Sequence, residues 1–339
     1  GLIEEVASNV PRLDYSDGTC PSLLLEPTAT NLIPYSEDFT QWDKVNCSIT
    51  SNSAISPDGT LNADKYTSNG TDPYLTSTAN STSITNSLSI WVKGVGSTIG
   101  KSCRIFAIRD AYVETTNEFF TLTSEWQRIE ATSTFSVAPT STVGFRFDAP
   151  DVAVVGDEVL IYGAQLEENS YATSYIKTVG TAQTRVADTA TDSGNSTVIN
   201  SSEGTLYFEG SALANDGTSR NITISGGNSN YVRIYYSTTS SQITYLVVSN
   251  GSVVANITAN GINQEVIRKI AVSWKLNEFK FYNNGVLVGT DTNGITPIGL
   301  NVLKFSEPNA SNRFYGKTKS LQVYTTALSD AELTSLTTI

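Results

Sequence analysis

The sequence predicts an all-β protein made of two antiparallel β-sandwiches with a short helix at the C-terminus. Three observations point to this fold class. Short strand patterns recur along the chain and are separated by Gly, Asn, Asp and Ser residues. Charged residues make up only 16% of the chain, so its polar positions are mostly neutral, which suits a β-rich surface. At 339 residues, the chain is also long enough for two domains, each with its own core.

Alternating apolar and polar residues mark the strands of the first half. In residues 87–94, SLSIWVKG, the side chains of Leu88, Ile90 and Val92 fall on one face of a strand. Similar patterns of 6 to 12 residues follow within the segments 102–110, 125–135, 141–149 and 157–168. This spacing is typical of an antiparallel sandwich.

Residues 157–168, DEVLIYGAQLEE, are expected to form the last strand of the first sandwich. Uniform alternation would place Leu160, Tyr162, Ala164 and Leu166 together on one face. Glu167 and Glu168 are adjacent, so they would point to opposite faces and could not act as a catalytic pair.

The second half contains a hairpin signal and a helix signal. Asn284-Gly285 lies between the alternating runs FKFY and VLVG, and this dipeptide favours a type I′ turn because both central residues need φ > 0. Near the C-terminus, Ser329 and Glu332 have the spacing of a capping box. We therefore expect a short helix that begins at about Asp330 and lies on a sheet.

Residues 176–200 are small, polar and weakly periodic, which indicates a domain boundary. We expect four segments, which are an N-terminal lead-in at 1–23, a first sandwich at 24–178, a linker at 179–195 and a second sandwich at 196–339. The chain contains no Met. We therefore expect it to be part of a longer polypeptide, and we expect the lead-in to dock on whatever precedes Gly1.

Charge and composition exclude several classes of function. The formal net charge is -12, with 21 basic residues scattered among 33 acidic ones, which argues against nucleic-acid binding. The same charge would repel an anionic glycan unless calcium intervened. No run of 18 apolar residues is present, so no membrane insertion is expected. The chain has no His, which removes the usual general base and the commonest zinc ligand.

Several motifs resemble those of a known family. The segments PSLLLEP (21–27), TNLIPYSEDFTQW (30–42), SIWVKG (89–94), EWQRI (125–129) and YGAQLEENSYATSYIKT (162–178) resemble the carbohydrate-binding-module-like jelly roll of bacteriophage tail and fibre proteins. NVPRLDYSDG (9–18) resembles the lead-in that commonly precedes this module. The second half is similar to the laminin-G/concanavalin A-like lectin sandwich, through residues 269–290 and 314–336.

This resemblance implies a bacteriophage virion protein of a tail fibre, tailspike, baseplate or head fibre. Its partners would be host surface polysaccharide and other virion proteins, and it would be located on the surface of the particle. Such proteins are often homo-oligomers, trimers in particular, although no heptad pattern is present here.

Sugar binding needs flat aromatic faces and a few fixed polar groups. In the first sandwich Trp42, Tyr74 and Tyr112 lie in or beside predicted loops and are the candidate carbohydrate-binding residues. Trp42 has an alternative role, in which it plugs the end of the sandwich as the chain enters the first strand.

Jelly rolls of the resembled family often hold a structural calcium between an acidic residue near the first strand and one on the last. Glu37 and Asp38 match the first part, but Tyr162-Gly163 stand where the family tends to have Asp-Asp. Asp216, beside Asn215 in the second half, is a further candidate ligand, although Asn-Asp-Gly is first of all a turn. Calcium needs about six or more oxygen ligands, and it is the only cofactor that these residues suggest.

A catalytic role is not expected. Glycanases of the concanavalin-like fold carry alternating carboxylates on one strand, and no such run exists here. Glu203 and Glu209 share a strand face but would stand about 20 Å apart. The absence of His also excludes a Ser-His-Asp esterase. The remaining alternatives are a sugar-binding attachment protein and a purely structural virion spacer, with a polysaccharide depolymerase a more distant third.

Overall fold

The computed structural model of the chain describes residues 3–16, 18–110, 113–114 (backbone only), 118–149, 151–152, 154–190 and 192–339. The chain divides into two compact units. Unit 1 consists of Gly1–Glu5 and Thr28–Ala187, and unit 2 of Val6–Pro27 and Asp188–Ile339. Both units are built from antiparallel sheets, and a helix closes the chain, so the predicted fold class is confirmed.

The strands up to residue 187 are β1 (Leu13–Asp14), β2 (Ser22–Leu25), β3 (Ala29–Asn31), β4 (Asp43–Val45), β5 (Cys47–Ile55), β6 (Leu61–Ser68), β7 (Tyr74–Asn80), β8 (Thr85–Gly94), β9 (Ser102–Arg109), β10 (Val113–Glu114), β11 (Glu118–Thr121), β12 (Gln127–Thr134), β13 (Thr142–Asp148), β14 (Glu158–Glu167) and β15 (Gln183–Arg185). The later elements are β16 (Glu203–Ala212), β17 (Arg220–Ser225), β18 (Tyr231–Tyr236), β19 (Gln242–Ser249), β20 (Ser252–Asn260), β21 (Arg268–Lys275), β22 (Glu278–Asn283), β23 (Val286–Asp291), β24 (Val302–Lys304), β25 (Gly316–Tyr324) and helix α1 (Asp330–Thr337).

Unit 1 is a sandwich of two sheets around one core. One sheet has the order β10-β9-β13-β7-β4, with β11 also paired to β9, and the other has the order β12-β8-β14-β6-β5. The inward-facing side chains of both sheets meet in a single cluster that includes Leu75, Ile90, Ile105, Phe145 and Ile161. Alternate residues of each strand therefore point away from the core, and these form the two outer faces of the unit.

A β-bulge changes the facing of side chains along β14. The register between β14 and β8 shifts between Tyr162 and Gln165, and Gly163 adopts φ 64, a conformation that favours glycine. Ala164 and Leu166 are consequently buried in the core, whereas Tyr162 points outward. The uniform alternation predicted for this strand, with Tyr162, Ala164 and Leu166 on one face, is wrong because of this bulge.

The segment after β14 lies on the outer face of the five-stranded sheet. From the sheet, Ser87 Oγ donates to the carbonyl of Tyr171 (2.9 Å) and Arg128 Nη2 to the carbonyl of Thr173 (2.5 Å). The buried carboxylate of Glu167 accepts hydrogen bonds from the backbone N–H (2.8 Å) and the hydroxyl (2.6 Å) of Thr173. Glu168 points elsewhere and accepts from Ser81 Oγ (2.7 Å), so the two glutamates diverge as expected.

The buried amide of Asn31 joins the beginning of unit 1 to its end. Its Nδ2 donates to the carbonyls of Ala164 (3.1 Å) and Ile176 (2.8 Å). Its Oδ1 accepts from the backbone N–H groups of Ile33 (3.1 Å) and Leu166 (3.1 Å). All four hydrogen-bonding positions of a fully buried side chain are therefore used.

Unit 2 is also a two-sheet sandwich around its own core. Its sheets have the orders β1-β2-β25-β16-β21-β22-β23 and β20-β19-β18-β17-β24. The Asn284-Gly285 turn joins β22 to β23 with φ 48 and 79, as the sequence predicts for this hairpin. Ser329 and Glu332 form both bonds of the capping box, and α1 packs through Leu333 onto the seven-stranded sheet.

The N-terminal segment differs from the expected lead-in. Strand β2 pairs with β25 and β1 pairs with β2, so these two strands extend a sheet of unit 2. Arg12 fixes this segment, because its guanidinium binds Glu26 (2.6 Å) and Asp188. At the other boundary, β15 pairs with β3 inside unit 1, within the segment expected to be a linker.

We predict that the substitution Asn31→Ala destabilises unit 1 by about 3 kcal/mol. It would leave two buried carbonyls and two buried N–H groups without partners, at a cost of about 1–3 kcal/mol each before relaxation. Denaturant unfolding followed by tryptophan fluorescence measures the effect, since Trp42, Trp91 and Trp126 lie in unit 1. The control is Asn69→Ala, at an exposed position. Equal stability of the two variants would contradict the prediction.

We also predict that Glu167→Gln changes how the stability of the protein depends on pH. Burial raises the pKa of Glu167 above its ordinary value of 4.5. Because the pKa is higher in the folded state than in the unfolded state, Glu167 stabilises the fold fully below pH 4.5. This contribution to the free energy of unfolding is lost as the pH rises through the pKa of the folded state. Glutamine does not titrate, so the stability of the variant relative to wild type should increase with pH in this range. Parallel stability curves from pH 4 to pH 8, from denaturant titrations, would disprove this.

Candidate functional site

The outer face of the six-stranded sheet in unit 1 carries a cluster of arginine and aromatic side chains. We call this cluster the arginine–aromatic face, and it consists of Tyr74, Arg104, Phe106, Phe119, Arg146 and Asp148. The strand register places Tyr74, Asp148, Arg104 and Phe119 in one row across β7, β13, β9 and β11. Arg146 and Phe106 lie opposite each other in the next row. Four neighbouring strands thus bring these side chains together.

The two guanidinium groups of this face lie over aromatic rings. Arg146 Cζ is 3.6 Å from the ring centroid of Tyr74 and 5.4 Å from that of Phe106. Arg104 Cζ is 4.7 Å from the centroid of Phe106 and 5.7 Å from that of Phe119. Cation–π attraction of this kind favours the planar arginine side chain and contributes about 0.5–2 kcal/mol.

One buried carboxylate orients both arginines. Asp148 Oδ2 accepts hydrogen bonds from Arg104 Nε (3.0 Å) and Nη2 (2.7 Å), and from Arg146 Nη2 (3.3 Å). The side chain of Asp148 is 6% exposed, whereas those of Arg104 and Arg146 are 23% and 24% exposed. The carboxylate is therefore covered, and the guanidinium groups are what a ligand would meet.

The face also offers an apolar surface and a depression. The ring of Phe119 is 57% exposed, while that of Phe106 lies buried beneath the arginines. Gly144 lies beside Arg146 on the same strand face, between Thr78 and Ile108 of the adjacent strands. A Cβ on Gly144 would lie 3.5 Å from Thr78 Cγ2 and 3.6 Å from Ile108 Cβ. Because glycine has no side chain, the outer surface of the sheet has a shallow depression at this position.

Of the three aromatic residues predicted to bind sugar, the structure places one on this face. Tyr74 is half-buried beneath Arg146. Trp42 is 2% exposed, and its ring centroid lies 5.0 Å from that of Phe39 and 5.5 Å from that of Phe145. Trp42 therefore has no free face for a sugar, which corrects the binding assignment in favour of its alternative role as a plug of the sandwich. Tyr112 lies outside the described residues.

The sequence analysis missed both arginines and Phe119. A signal was present in residues 144–148, GFRFD, because Phe145 and Phe147 are inward-facing and Arg146 and Asp148 must then face outward. The pairing of this strand with β7, β9 and β11 could not be read from the sequence. Only the register brings residues from four separate segments into one cluster.

Glu37, a candidate calcium ligand, is surrounded by donors in unit 1. Its Oε1 accepts from the hydroxyls of Tyr162 (2.9 Å) and Tyr175 (3.0 Å), and its Oε2 accepts from Lys177 Nζ (2.7 Å). Burial, followed by the charge of Glu37, raises the pKa of Tyr162 above its ordinary value, so this phenol stays a donor. The carboxylate of Glu37 is thus paired with the exposed ammonium group of Lys177 and with two tyrosine hydroxyls.

The other two acidic candidates serve local structure. Asp38 caps the 3-10 helix at Phe39–Gln41 by accepting from Thr40 N (3.1 Å). Asp216 forms an ion pair with Arg220 (3.0 Å), and Asn215 bonds to Ser241 through both ends of its amide. In the part of the chain that the structure describes, no three His, Cys, Asp or Glu side chains come together as a metal site. Calcium binding stays a prediction.

A pair of carboxylates that the sequence did not suggest also lies in unit 1. The hydroxyl of Tyr162 is 2.9 Å from Glu37 Oε1 and 2.9 Å from Asp58 Oδ2, so the two oxygens are less than about 6 Å apart. Retaining glycosidases use a similar separation between their carboxyl groups. Here the phenol occupies the gap in which a glycosidic oxygen would have to lie. This arrangement fits a structural role.

Unit 2 contains a cavity of about 360 Å³ lined by residues that include Leu25, Asp188, Phe305, Arg313 and Phe314. Asp188 on its wall is bound by the guanidinium of Arg12 and by the backbone N–H of Glu26 (2.7 Å). Its carboxylate therefore holds the N-terminal segment in place. The cavity is a weaker candidate for a ligand site than the arginine–aromatic face.

Some comparisons with solved structures give matches of low similarity. The binding domain of botulinum neurotoxin DC, in complex with rat synaptotagmin II, is 13% identical with a TM-score of 0.32, covering 40% of this chain and 35% of that chain. A Caenorhabditis elegans galectin is 11% identical with a TM-score of 0.30, covering 40% of this chain and 91% of that one. A homodimeric agglutinin from chicken liver is 11% identical with a TM-score of 0.26, covering 40% and 96%. At these scores the likenesses carry no argument about function.

No curated protein matches the chain. Within the described residues, no helix is long and apolar enough to cross a membrane.

The comparison with protein families is more specific. Residues 187–334 match the laminin G family of the concanavalin A-like lectin/glucanases superfamily, and this range coincides with most of unit 2. Unit 2 therefore contains a concanavalin A-like sandwich domain.

Proposed function

We propose that this chain is a non-catalytic attachment protein that binds carbohydrate through the arginine–aromatic face of unit 1. The observation that carries the proposal is the combination of an exposed ring, Phe119, with two guanidinium groups held in fixed positions by one carboxylate. A pyranose ring presents an apolar C–H surface and a rim of hydroxyl groups. The face matches both, with an aromatic surface beside planar hydrogen-bond donors.

The lectin-like fold of unit 2 supports the same class of function. The family matched by residues 187–334 includes lectins as well as glucanases, so fold alone does not choose between binding and hydrolysis. The carboxylates described above argue against hydrolysis. Glu209 accepts from the hydroxyl of Tyr207 (3.0 Å), Glu203 from the backbone N–H of Ala327 (3.3 Å), and Glu37 and Asp58 enclose a phenol.

We further propose that the carbohydrate belongs to a host cell surface and that the chain is located on a bacteriophage virion. The support is the resemblance of residues 21–42 and 162–178 to the jelly roll of phage tail and fibre proteins. The same resemblance favours a homo-oligomer, with a trimer as the first state to test, and other virion proteins as partners. Calcium binding by Glu37 and Asp38 belongs with these proposals, and a metal titration of the purified protein tests it.

We predict that Phe119→Ala weakens binding to the recognised glycan about tenfold, because stacking on one aromatic ring contributes about 1.4 kcal/mol. A glycan array identifies the ligand, and titration calorimetry with wild type and variant then measures the change. The matched control is Tyr15→Ala, which removes an aromatic ring that is 58% exposed, compared with 57% for Phe119, but lies in unit 2.

Three outcomes would count against the proposal. Equal losses in both variants would show that the arginine–aromatic face is not the contact surface. Failure of the folded, oligomeric protein to bind any surface glycan of its host would leave the structural spacer as the better description. Release of reducing ends from a polysaccharide would show instead that the chain is catalytic.

A further inference from the structure

We infer that Asn69-Gly70, in the loop between β6 and β7 of unit 1, is the site at which this chain modifies its own backbone by deamidation. The inference goes beyond sugar binding and does not rest on it. Asn-Gly is the dipeptide in which this reaction is least hindered, because glycine has no Cβ beside the attacking nitrogen. The chain contains five such dipeptides, which begin at Asn69, Asn250, Asn260, Asn284 and Asn293. The contacts of the structure protect four of them and leave one open.

The reaction needs water as its only co-reactant. The backbone nitrogen of the glycine loses its proton to solvent and attacks the side-chain Cγ of the preceding asparagine. A C–N bond forms, the side-chain nitrogen leaves as ammonia, and the product is a cyclic succinimide. Water then opens the ring at either carbonyl, which gives aspartate or isoaspartate without oxidation or reduction. A hydrogen bond to the glycine nitrogen or to the asparagine amide therefore slows the reaction, because it must break first.

Three of the five dipeptides are protected at the glycine nitrogen. In each of them the glycine N–H donates to an oxygen of unit 2: Gly251 to the carbonyl of Ser229 (2.8 Å), Gly285 to Thr337 Oγ1 (3.1 Å) and Gly294 to Asn277 Oδ1 (3.1 Å). Asn284 is held at its side chain as well, since its Oδ1 accepts from Lys269 N (2.9 Å). These glycine nitrogens must give up a partner before they can react.

The fourth dipeptide is protected at the asparagine side chain. Asn260 Oδ1 accepts from Gln242 Nε2 (2.9 Å), which lies directly opposite on β19. The turn that follows is closed by a backbone bond from Ile262 N to the carbonyl of Ser241 (2.9 Å). The amide of Asn260 must therefore leave Gln242 before its Cγ can approach the nitrogen of Gly261.

Asn69-Gly70 has neither kind of protection. The side chain of Asn69 is exposed, and no residue in the described part of the chain forms a hydrogen bond with it or with the N–H of Gly70. The loop around it is ordered, because Asn69 N donates to the carbonyl of Asn46 (2.8 Å) and Asn46 Nδ2 donates to the carbonyl of Thr71 (2.6 Å). Ser68 Oγ bonds to the carbonyl of Gly70 (3.2 Å) and not to its nitrogen. The two reacting groups are thus free within a fixed loop.

The product changes both the charge and the backbone at this position. Aspartate and isoaspartate each add one negative charge to a formal net charge of -12. Isoaspartate also adds one carbon atom to the main chain between the two points at which Asn46 contacts the loop. The two hydrogen bonds of Asn46 cannot then both keep their geometry, so the segment that leads into β7 has to shift.

The test incubates the purified full chain in mildly alkaline buffer made with water enriched in heavy oxygen, both folded and in denaturant. Peptide mapping by mass spectrometry then measures, at each Asn-Gly, the products that carry heavy oxygen and so formed during the incubation. In the folded protein we expect Asn69 to convert about tenfold faster than the other four, the factor that corresponds to about 1.4 kcal/mol, or one hydrogen bond. In denaturant the five rates should become similar.

Two variants test the contacts on which the inference depends. Gly70→Ala keeps Asn69 but places a Cβ beside the attacking nitrogen, and this Cβ would lie 3.9 Å from Asn46 Cβ, an ordinary contact that the fold should tolerate. Conversion at Asn69 should then fall to the level of the protected sites. The matched change Gln242→Ala removes the bond to Asn260 and should raise conversion there about tenfold. Thermal unfolding of each variant shows whether its fold is intact.

The outcomes decide the inference without reference to glycan binding. Faster conversion at Asn69 than at the other four sites in the folded protein, but not in denaturant, would establish it. Equal rates at all five sites of the folded protein, or conversion at none of them, would overturn it. Unchanged conversion at Asn69 in a folded Gly70→Ala would also overturn it. The comparison of folded with denatured wild type needs no variant, so it decides the question even where a variant does not fold.

Discussion

The four hydrogen bonds of the buried Asn31 amide hold unit 1 closed, and the rest of the unit depends on this closure. They connect the segment that enters the sandwich, the last strand β14 and the segment that leaves it. Each of these backbone groups is far from water, so the side chain must supply the partner that a neighbouring strand would otherwise provide. Gln165 extends the same network, since its Oε1 accepts from Ile176 N (2.7 Å) and its Nε2 donates to Glu167 (2.7 Å).

This closure explains the motif YGAQLEENSYATSYIKT in physical terms. Gln165 and Glu167 bind the returning segment, and Thr173 supplies two donors to Glu167. Further along, Tyr175 and Lys177 reach Glu37 near the start of the unit. The polar residues of the motif thus bond to other parts of the same unit. A motif that resembles those of carbohydrate-binding-module-like jelly rolls therefore marks, in this chain, how the domain is closed.

Much of the fold followed from local signals, whereas the candidate site did not. Alternation, the Asn284-Gly285 turn and the Ser329 capping box each act within a few residues, so the sequence contains all the information they need. The prediction of which side chains of β14 point inward is wrong beyond Gly163, because the bulge there depends on the pairing with the neighbouring strand β8. The place of β2 in unit 2 depends on its pairing with β25, some 290 residues later. The arginine–aromatic face requires the register of four strands, which no local pattern reports.

The two outer faces of unit 1 differ, and the face of the five-stranded sheet is the one that binds the closing segment. On the five-stranded sheet, Gly163 leaves room for the rings of Trp91 and Tyr175, and a Cβ there would lie 3.4 and 3.3 Å from them. Thr132 and Ser87 bond to the carbonyls of Ser170 and Tyr171, so the closing segment covers this sheet. Among the described residues, no segment is bonded across the outer face of the six-stranded sheet in this way. Its arginines and aromatic rings are stabilised by one another across the strands, which leaves an ordered, partly exposed surface that is suited to a ligand.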